Sequence, residues 1–200
     1  MLTLLHTAAV HVDTFTALRD QIAPNAELTH LVHPELLAEA QDGITPELEQ
    51  RIETLVSGAV PMICTCTTIG EVAARYGATR IDQPMMRQAV GMGRVLMAFA
   101  LESTRAPSRD LFLAESGQEE DLTLLDLSEH WPLFEAGDTA AFHAAIAQTI
   151  TAVHDGFDVI VLAQASMAGA AKMLALPIPV LSSPELALRD GLGLQAGTTG

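Results

Sequence analysis

Short apolar runs alternate along this chain with segments whose apolar residues recur at helical spacing. The runs cover residues 2–5, 28–32, 60–66, 95–100, 122–127, 159–164 and 178–181. Between them, Phe142, Ile146 and Ile150 fall on one helical face, and so do Ile52 and Val56. Strands that alternate with helices favour parallel sheets covered on both faces. We therefore predict an α/β fold with mostly parallel sheets.

Composition limits the classes of function. The 200 residues are 49% hydrophobic, enough for one domain or two small lobes, and the formal net charge of −15 argues against nucleic acid or an anionic membrane as partner. No apolar stretch reaches the roughly 18 residues of a membrane-spanning helix, and the N-terminus lacks the pattern of a signal peptide. Two cysteines placed two residues apart do not form a disulfide framework. We expect a cytoplasmic protein with reduced thiols.

The segment PMICTCTTIGE joins an apolar run to a helix that we expect to open at Thr67. Ligands of α/β sheets bind beyond the carboxyl ends of strands, where unpaired N–H groups of the next helix favour an anion. Thr67 and Thr68 add hydroxyl donors, so the junction suits a carboxylate. A helix N-terminus also lowers the pKa of a nearby thiol, which makes Cys66 a candidate base or nucleophile. Alternatively Cys66 is a buried core residue, which is the role we expect for Cys64.

A similar junction recurs in the second half, where Gln164 follows an apolar run 98 residues after Cys66. This echo suggests two similar halves, each ending a strand at a shared cleft. Ser166 matches the second threonine of the first junction as a hydroxyl donor, and Gln164 either contacts substrate or caps its own junction. Thr7 and Thr104, which follow the first and fourth apolar runs, are further candidate donors.

The histidines show no spacing typical of a metal site, so we predict no bound metal. They lie mostly at positions where packing or surface exposure is the usual role. His6 and His33 are the two that the pattern leaves open as a substitute acid in the cleft.

Several of these stretches together resemble the aspartate/glutamate/hydantoin racemase superfamily. The resemblance is carried by CTT at 66–68, VIVLAQASMAGAA at 159–171, RIDQPMMRQAV at 80–90, AGDTAAFHAAI at 136–146 and PVLSSPELAL at 179–188. It implies two pseudo-symmetric Rossmann-like lobes with an inter-lobe cleft, no cofactor and a homo-oligomer, a dimer being typical. The lobes would be 1–90 with 177–200, carrying Cys66, and 91–176, carrying Gln164.

The resemblance also implies a chemistry. In racemases of the superfamily, one cysteine from each lobe exchanges a proton with the substrate; Cys66 matches the first, and Gln164 holds the place of the second. We therefore expect an isomerase or racemase-type enzyme that acts through Cys66 at the α-carbon of a small carboxylate. A carboxamide does not exchange protons as a thiol does, so a cofactor-free decarboxylase, a maleate-isomerase-like enzyme and a non-catalytic small-carboxylate binding protein are the alternatives.

Overall fold

The computed structural model describes residues 1–58 and 61–194. Its strands are β1 Leu2–His6, β2 Leu28–Val32, β3 Met62–Cys64, β4 Thr79–Arg80, β5 Val95–Phe99, β6 Leu122–Asp126, β7 Val159–Leu162 and β8 Val180–Ser182. Its α-helices are α1 Val10–Ile22, α2 Pro34–Ala40, α3 Pro46–Val56, α4 Thr67–Arg75, α5 Gln83–Ala89, α6 Glu102–Ala114, α7 Trp131–Glu135, α8 Thr139–Val153, α9 Ala168–Ala171 and α10 Ser183–Gly191. Each predicted apolar run overlaps a strand, although position 60 lies outside the described residues.

All eight strands lie in two four-stranded parallel sheets, which confirms the predicted α/β fold. The strand orders are β2-β1-β3-β4 and β6-β5-β7-β8, so β3 and β7 occupy the same place in their sheets. Parallel neighbours need a crossover connection, and the helices between strands supply it. Among the described residues, no helix is both long and apolar enough to cross a membrane.

The chain divides into two compact units, Met1–Pro84 with Pro184–Gly200, and Met85–Ser183. The sequence-based division placed the boundaries at positions 90 and 177. The second boundary lies later in the structure because β8 pairs with β7, which keeps that strand in the second unit. The helix α10 belongs to the first unit. It comes so close to β3 that a Cβ on Gly191 would lie 2.6 Å from the Ile63 side chain.

The helix α3 shows how local sequence signals build the first unit. Thr45 caps it by accepting a hydrogen bond from the Leu48 N–H, and Pro46 stands in its first turn, where a missing N–H costs nothing. Its apolar face, with Leu48, Ile52 and Val56, is buried in the core beneath the first sheet. That core brings α4 against the sheet and so fixes where the helix begins.

The second unit is built in the same way around α8. Asp138 caps this helix, and Phe142, Ile146 and Ile150 pack into a core with β5 and β7. After β7, the 3₁₀ turn Ala165–Met167 leads into the short helix α9. Gly169 has low helix propensity, and it is needed because the ring of His143 lies only 2.2 Å from where its Cβ would be.

Candidate active site

Cys66 is the N-cap residue of α4, two positions beyond the end of β3, and is 7% exposed. Its backbone is extended, and its side chain makes no capping hydrogen bond. Thr67 and Thr68 are the first two helical residues and are buried. The helix begins at Thr67, as the sequence predicted, and the residue before it, Cys66, takes the N-cap position.

Hydrogen-bond donors surround the Cys66 thiol. The hydroxyls of Thr7 and Thr68 and the backbone N–H groups of Thr68 and Ile69 all lower its pKa. Burial acts in the opposite direction with the larger effect, so the pKa of Cys66 lies above the ordinary thiol value. The expectation of a lowered pKa was therefore wrong, since the helix N-terminus is not open to water here. Cys66 holds its proton at neutral pH, beside donors that stabilise the thiolate once the proton leaves.

Cys64 is fully buried, and its thiol donates to the Cys66 carbonyl oxygen over 3.6 Å. Burial, and next the charge of a Cys66 thiolate, raise the pKa of Cys64. Both thiols are free. Cys64 is therefore a core residue, as its position predicted, and it helps to hold the backbone at Cys66.

A directional chain of hydrogen bonds joins the ends of β1 and β3. The Thr65 hydroxyl donates to the Leu5 carbonyl at 3.0 Å, so its oxygen accepts from Nδ1 of His6 at 2.8 Å. Nε2 of His6 is then the acceptor, and Nδ1 of His30 donates to it at 2.8 Å. This network fixes the residues immediately before Thr7 and Cys66. Nothing in the spacing of these three side chains along the sequence identified it.

The same network excludes His6 as a substitute acid. Burial first, and then the neighbouring His11 and His30, lower the pKa of His6 from 6.5 to about 3. Its single ring proton is committed to Thr65, so His6 has no proton to offer substrate near neutral pH. His33 pairs with Glu35 on the surface. Among the described residues, no cluster of histidine, cysteine and acidic side chains fits a metal ion.

A buried ion pair packs against the first turns of α4. Arg80 contacts Asp82 through two hydrogen bonds of 2.9 and 2.8 Å, and the two residues are 7% and 0% exposed. Arg80 also lies opposite Cys64 in the sheet register. A Cβ on Gly70 would lie 3.5 Å from the Arg80 side chain, so the arginine passes directly under the first turns of α4. The pair holds the helix that carries Cys66.

Replacing Asp82 by alanine should lower the free energy of unfolding by about 3–5 kcal/mol, because it removes the buried carboxylate that accepts two hydrogen bonds from the Arg80 guanidinium. Urea denaturation followed by circular dichroism measures the change. Asp20→Ala is the matched control, since it removes the carboxylate of the exposed Arg19–Asp20 pair and should cost less than about 1 kcal/mol. Equal losses in the two variants would contradict the role given to Asp82.

The candidate residues fall into one group in each unit. In the first unit, Thr7 and Thr68 contact Cys66, and Thr67 follows it directly. In the second unit, the Gln164 side chain does not cap its own 3₁₀ turn but accepts hydrogen bonds at the end of β5. Thr104 is buried in the first turn of α6 rather than at the strand end.

No protein-family model and no curated protein sequence matches this chain. Solved structures do. Glutamate racemase from Francisella tularensis subsp. tularensis SCHU S4 is 12% identical with a TM-score of 0.69, covering 99% of this chain and 84% of its own. Picrophilus torridus aspartate racemase is 14% identical with a TM-score of 0.68, covering 98% and 95%. Allantoin racemase from Klebsiella pneumoniae is 18% identical with a TM-score of 0.64, covering 100% and 91%.

These likenesses establish that the chain has the fold of the aspartate, glutamate and allantoin racemases. At such low sequence identity these likenesses show the fold alone, and they assign no role to any residue of this chain. The proposed chemistry therefore rests on the residues around Cys66.

Proposed function

We propose that this protein is a cofactor-independent isomerase or racemase-type enzyme that transfers a proton at the α-carbon of a small carboxylate through Cys66. The observation that carries the proposal is the environment of the thiol: it is buried and protonated at rest, yet faced by donors from Thr7, Thr68 and Ile69. Such a group is suited to give up a proton, because the thiolate it leaves behind is immediately hydrogen-bonded.

The proposed step is protonation of an enediolate-like carbanion. The electron pair on the α-carbon takes the proton of the Cys66 thiol, a C–H bond forms, and the S–H bond breaks. The resulting thiolate is held by the Thr7 and Thr68 hydroxyls. It removes the α-proton of the next substrate, which breaks that C–H bond, re-forms the S–H bond and leaves the electron pair on the α-carbon as the next enediolate-like carbanion. Thr67 and the N-terminus of α4 are proposed to hold the carboxylate, because ligands of α/β sheets bind beyond this end of a strand.

A second candidate is a cofactor-free decarboxylase. It is favoured by the raised pKa of Cys66, because loss of CO₂ generates the carbanion without a base and leaves only the protonation to be catalysed. Proton abstraction requires the thiolate, which burial disfavours. The two candidates differ in one product, since only the decarboxylase releases CO₂ from a malonate-type acid.

The pH profile of Cys66 alkylation tests the protonated thiol. Iodoacetamide reacts with thiolates, so modification of wild-type Cys66 should be slow at pH 7 and accelerate above the ordinary thiol pKa, with Cys64 unmodified. Thr7→Val removes a donor to the thiolate and should move the profile upward by about one pH unit. Thr14→Val, whose hydroxyl bonds its own helix, should not move it. Rapid modification at pH 7 would contradict the proton-donor role.

A further inference from the structure

The side chain of Gln164 is fixed in one orientation. Its carboxamide oxygen accepts hydrogen bonds from the backbone N–H groups of Ala100 and Leu101, at 2.6 and 3.0 Å, and the residue is 7% exposed. A flipped amide would set its NH₂ group against two donors, so the oxygen assignment follows from the geometry. The NH₂ group therefore faces away from the end of β5.

The sheet registers show which positions of the two units correspond. Leu5 pairs with Cys64 in the first sheet and Ala98 pairs with Leu162 in the second, so the positions two residues further on correspond. In the first unit those positions hold Thr7 and Cys66, which contact each other. In the second they hold Ala100 and Gln164. Alanine brings no hydroxyl, and the glutamine oxygen uses the backbone N–H groups instead. Where the first unit presents a thiol, the second presents a locked amide.

A buried donor of this second junction lacks a partner. The oxygen of Gln164 accepts two hydrogen bonds, which leaves its nitrogen as a donor that faces away from β5. The hydroxyl of Ser166, a residue only 9% exposed, is buried and has no partner among the described residues. The turn that carries it is held in place, because Nε2 of His143 donates to the Ser166 carbonyl oxygen at 2.8 Å. Buried polar groups in folded proteins are nearly always paired, so an unpaired hydroxyl in a rigid turn points to a ligand.

We infer that Gln164 and Ser166 form a binding site for an acceptor oxygen of the ligand, a carboxylate or carbonyl oxygen, and that Gln164 determines this specificity. The inference deepens the proposed function and rests on it for the reaction, but not for the binding. An amide N–H holds an oxygen without giving up its proton. Gln164 therefore binds an oxygen and does not exchange a proton.

Substituting Gln164 by glutamate separates recognition from folding. The carboxylate keeps an acceptor for the Ala100 and Leu101 N–H groups, so the melting temperature should be unchanged or higher. The other carboxylate oxygen takes the place of the amide NH₂ group. A negatively charged acceptor then stands where a donor stood, and it repels a bound carboxylate. Malonate affinity, measured by isothermal titration calorimetry, should fall at least about tenfold, and Ser166→Ala should lower it about threefold or more. Gln50→Glu makes the same change on the exposed face of α3 and should leave affinity unchanged.

Two results would overturn the inference: malonate binding to Gln164→Glu as tightly as to wild type, or no binding of malonate, maleate or propionate to the wild-type protein at all. The test is independent of the reaction. Cys66→Ser should still bind malonate within about twofold of wild type. If Gln164→Glu weakens malonate binding while Cys66→Ser keeps full turnover, the proposed function is wrong and this inference stands. If Gln164→Glu binds malonate as tightly as wild type while Cys66→Ser loses turnover, this inference is wrong and the proposed function stands.

Discussion

Replacing Cys66 by serine should slow proton transfer to the α-carbon by about 10²–10⁴-fold, the range expected for loss of a positioned general acid. The hydroxyl fills nearly the same space and keeps the contacts from Thr7 and Thr68, but it holds its proton far more tightly than a thiol. Stability should therefore change little while turnover collapses. The rate of α-deuteration or product formation, on whichever carboxylate the wild-type protein processes, measures the effect.

Cys64→Ser is the matched control for that experiment. It makes the same atomic change two residues away, in a side chain that is fully buried and donates only to the Cys66 carbonyl oxygen. Turnover should stay within a few-fold of wild type, because the serine hydroxyl can make the same hydrogen bond. If Cys66→Ser and Cys64→Ser keep equal turnover, Cys66 is not the proton donor.

Acidification should destabilise the first unit before the carboxylates titrate. Burial lowers the pKa of His11 from 6.5 to about 4, and that of His6 falls to about 3. The unfolded chain binds both protons below pH 6.5, whereas the native protein does not, so stability is complete above pH 6.5 and declines as pH falls toward these values. Between pH 7.5 and 5.0 the loss should be about 3–4 kcal/mol, a large part of the roughly 5–15 kcal/mol that stabilises a typical domain.

Urea denaturation at pH 7.5 and 5.0 measures this loss, and two variants assign it. His11→Phe removes one ionisable ring and keeps the aromatic bulk near His6, so the difference between the two pH values should fall by about half. His154→Gln changes a histidine whose side chain bonds the Thr151 carbonyl oxygen, outside the cluster, and should leave the difference unchanged. A pH dependence that persists in full in His11→Phe would contradict the assignment.

The local signals in the sequence predicted most of the fold. Apolar runs marked the strands, and the helical spacing of Phe142, Ile146 and Ile150 marked a helix that the structure confirms. The recurrence of the Cys66 junction at Gln164 corresponds to the matching places of β3 and β7 in their sheets. These signals work because strand burial and helix capping depend on residues close together in the chain.

The chemistry of the site depends on contacts that no local pattern contains. The hydrogen bonds from His30 through His6 to Thr65 connect three strands, and the hydrogen bond between Ala100 and the Gln164 side chain connects two strands. The pKa of Cys66 followed neither the helix terminus nor the donors, because burial outweighed both. The Arg80–Asp82 pair, in contrast, lies within one short stretch, in a segment already noted for its resemblance.

The most direct test of the central claim is proton NMR in D₂O, with amino acids, hydantoins, malonates, maleate and 2-hydroxy acids offered to wild type and to Cys66→Ser. We expect deuterium to enter an α-position, or a new product to form, with the wild-type protein and not with the variant. If no compound exchanges or reacts, while some raise the melting temperature of both proteins equally, the proposed Cys66 chemistry is wrong and the protein is a small-carboxylate binding protein.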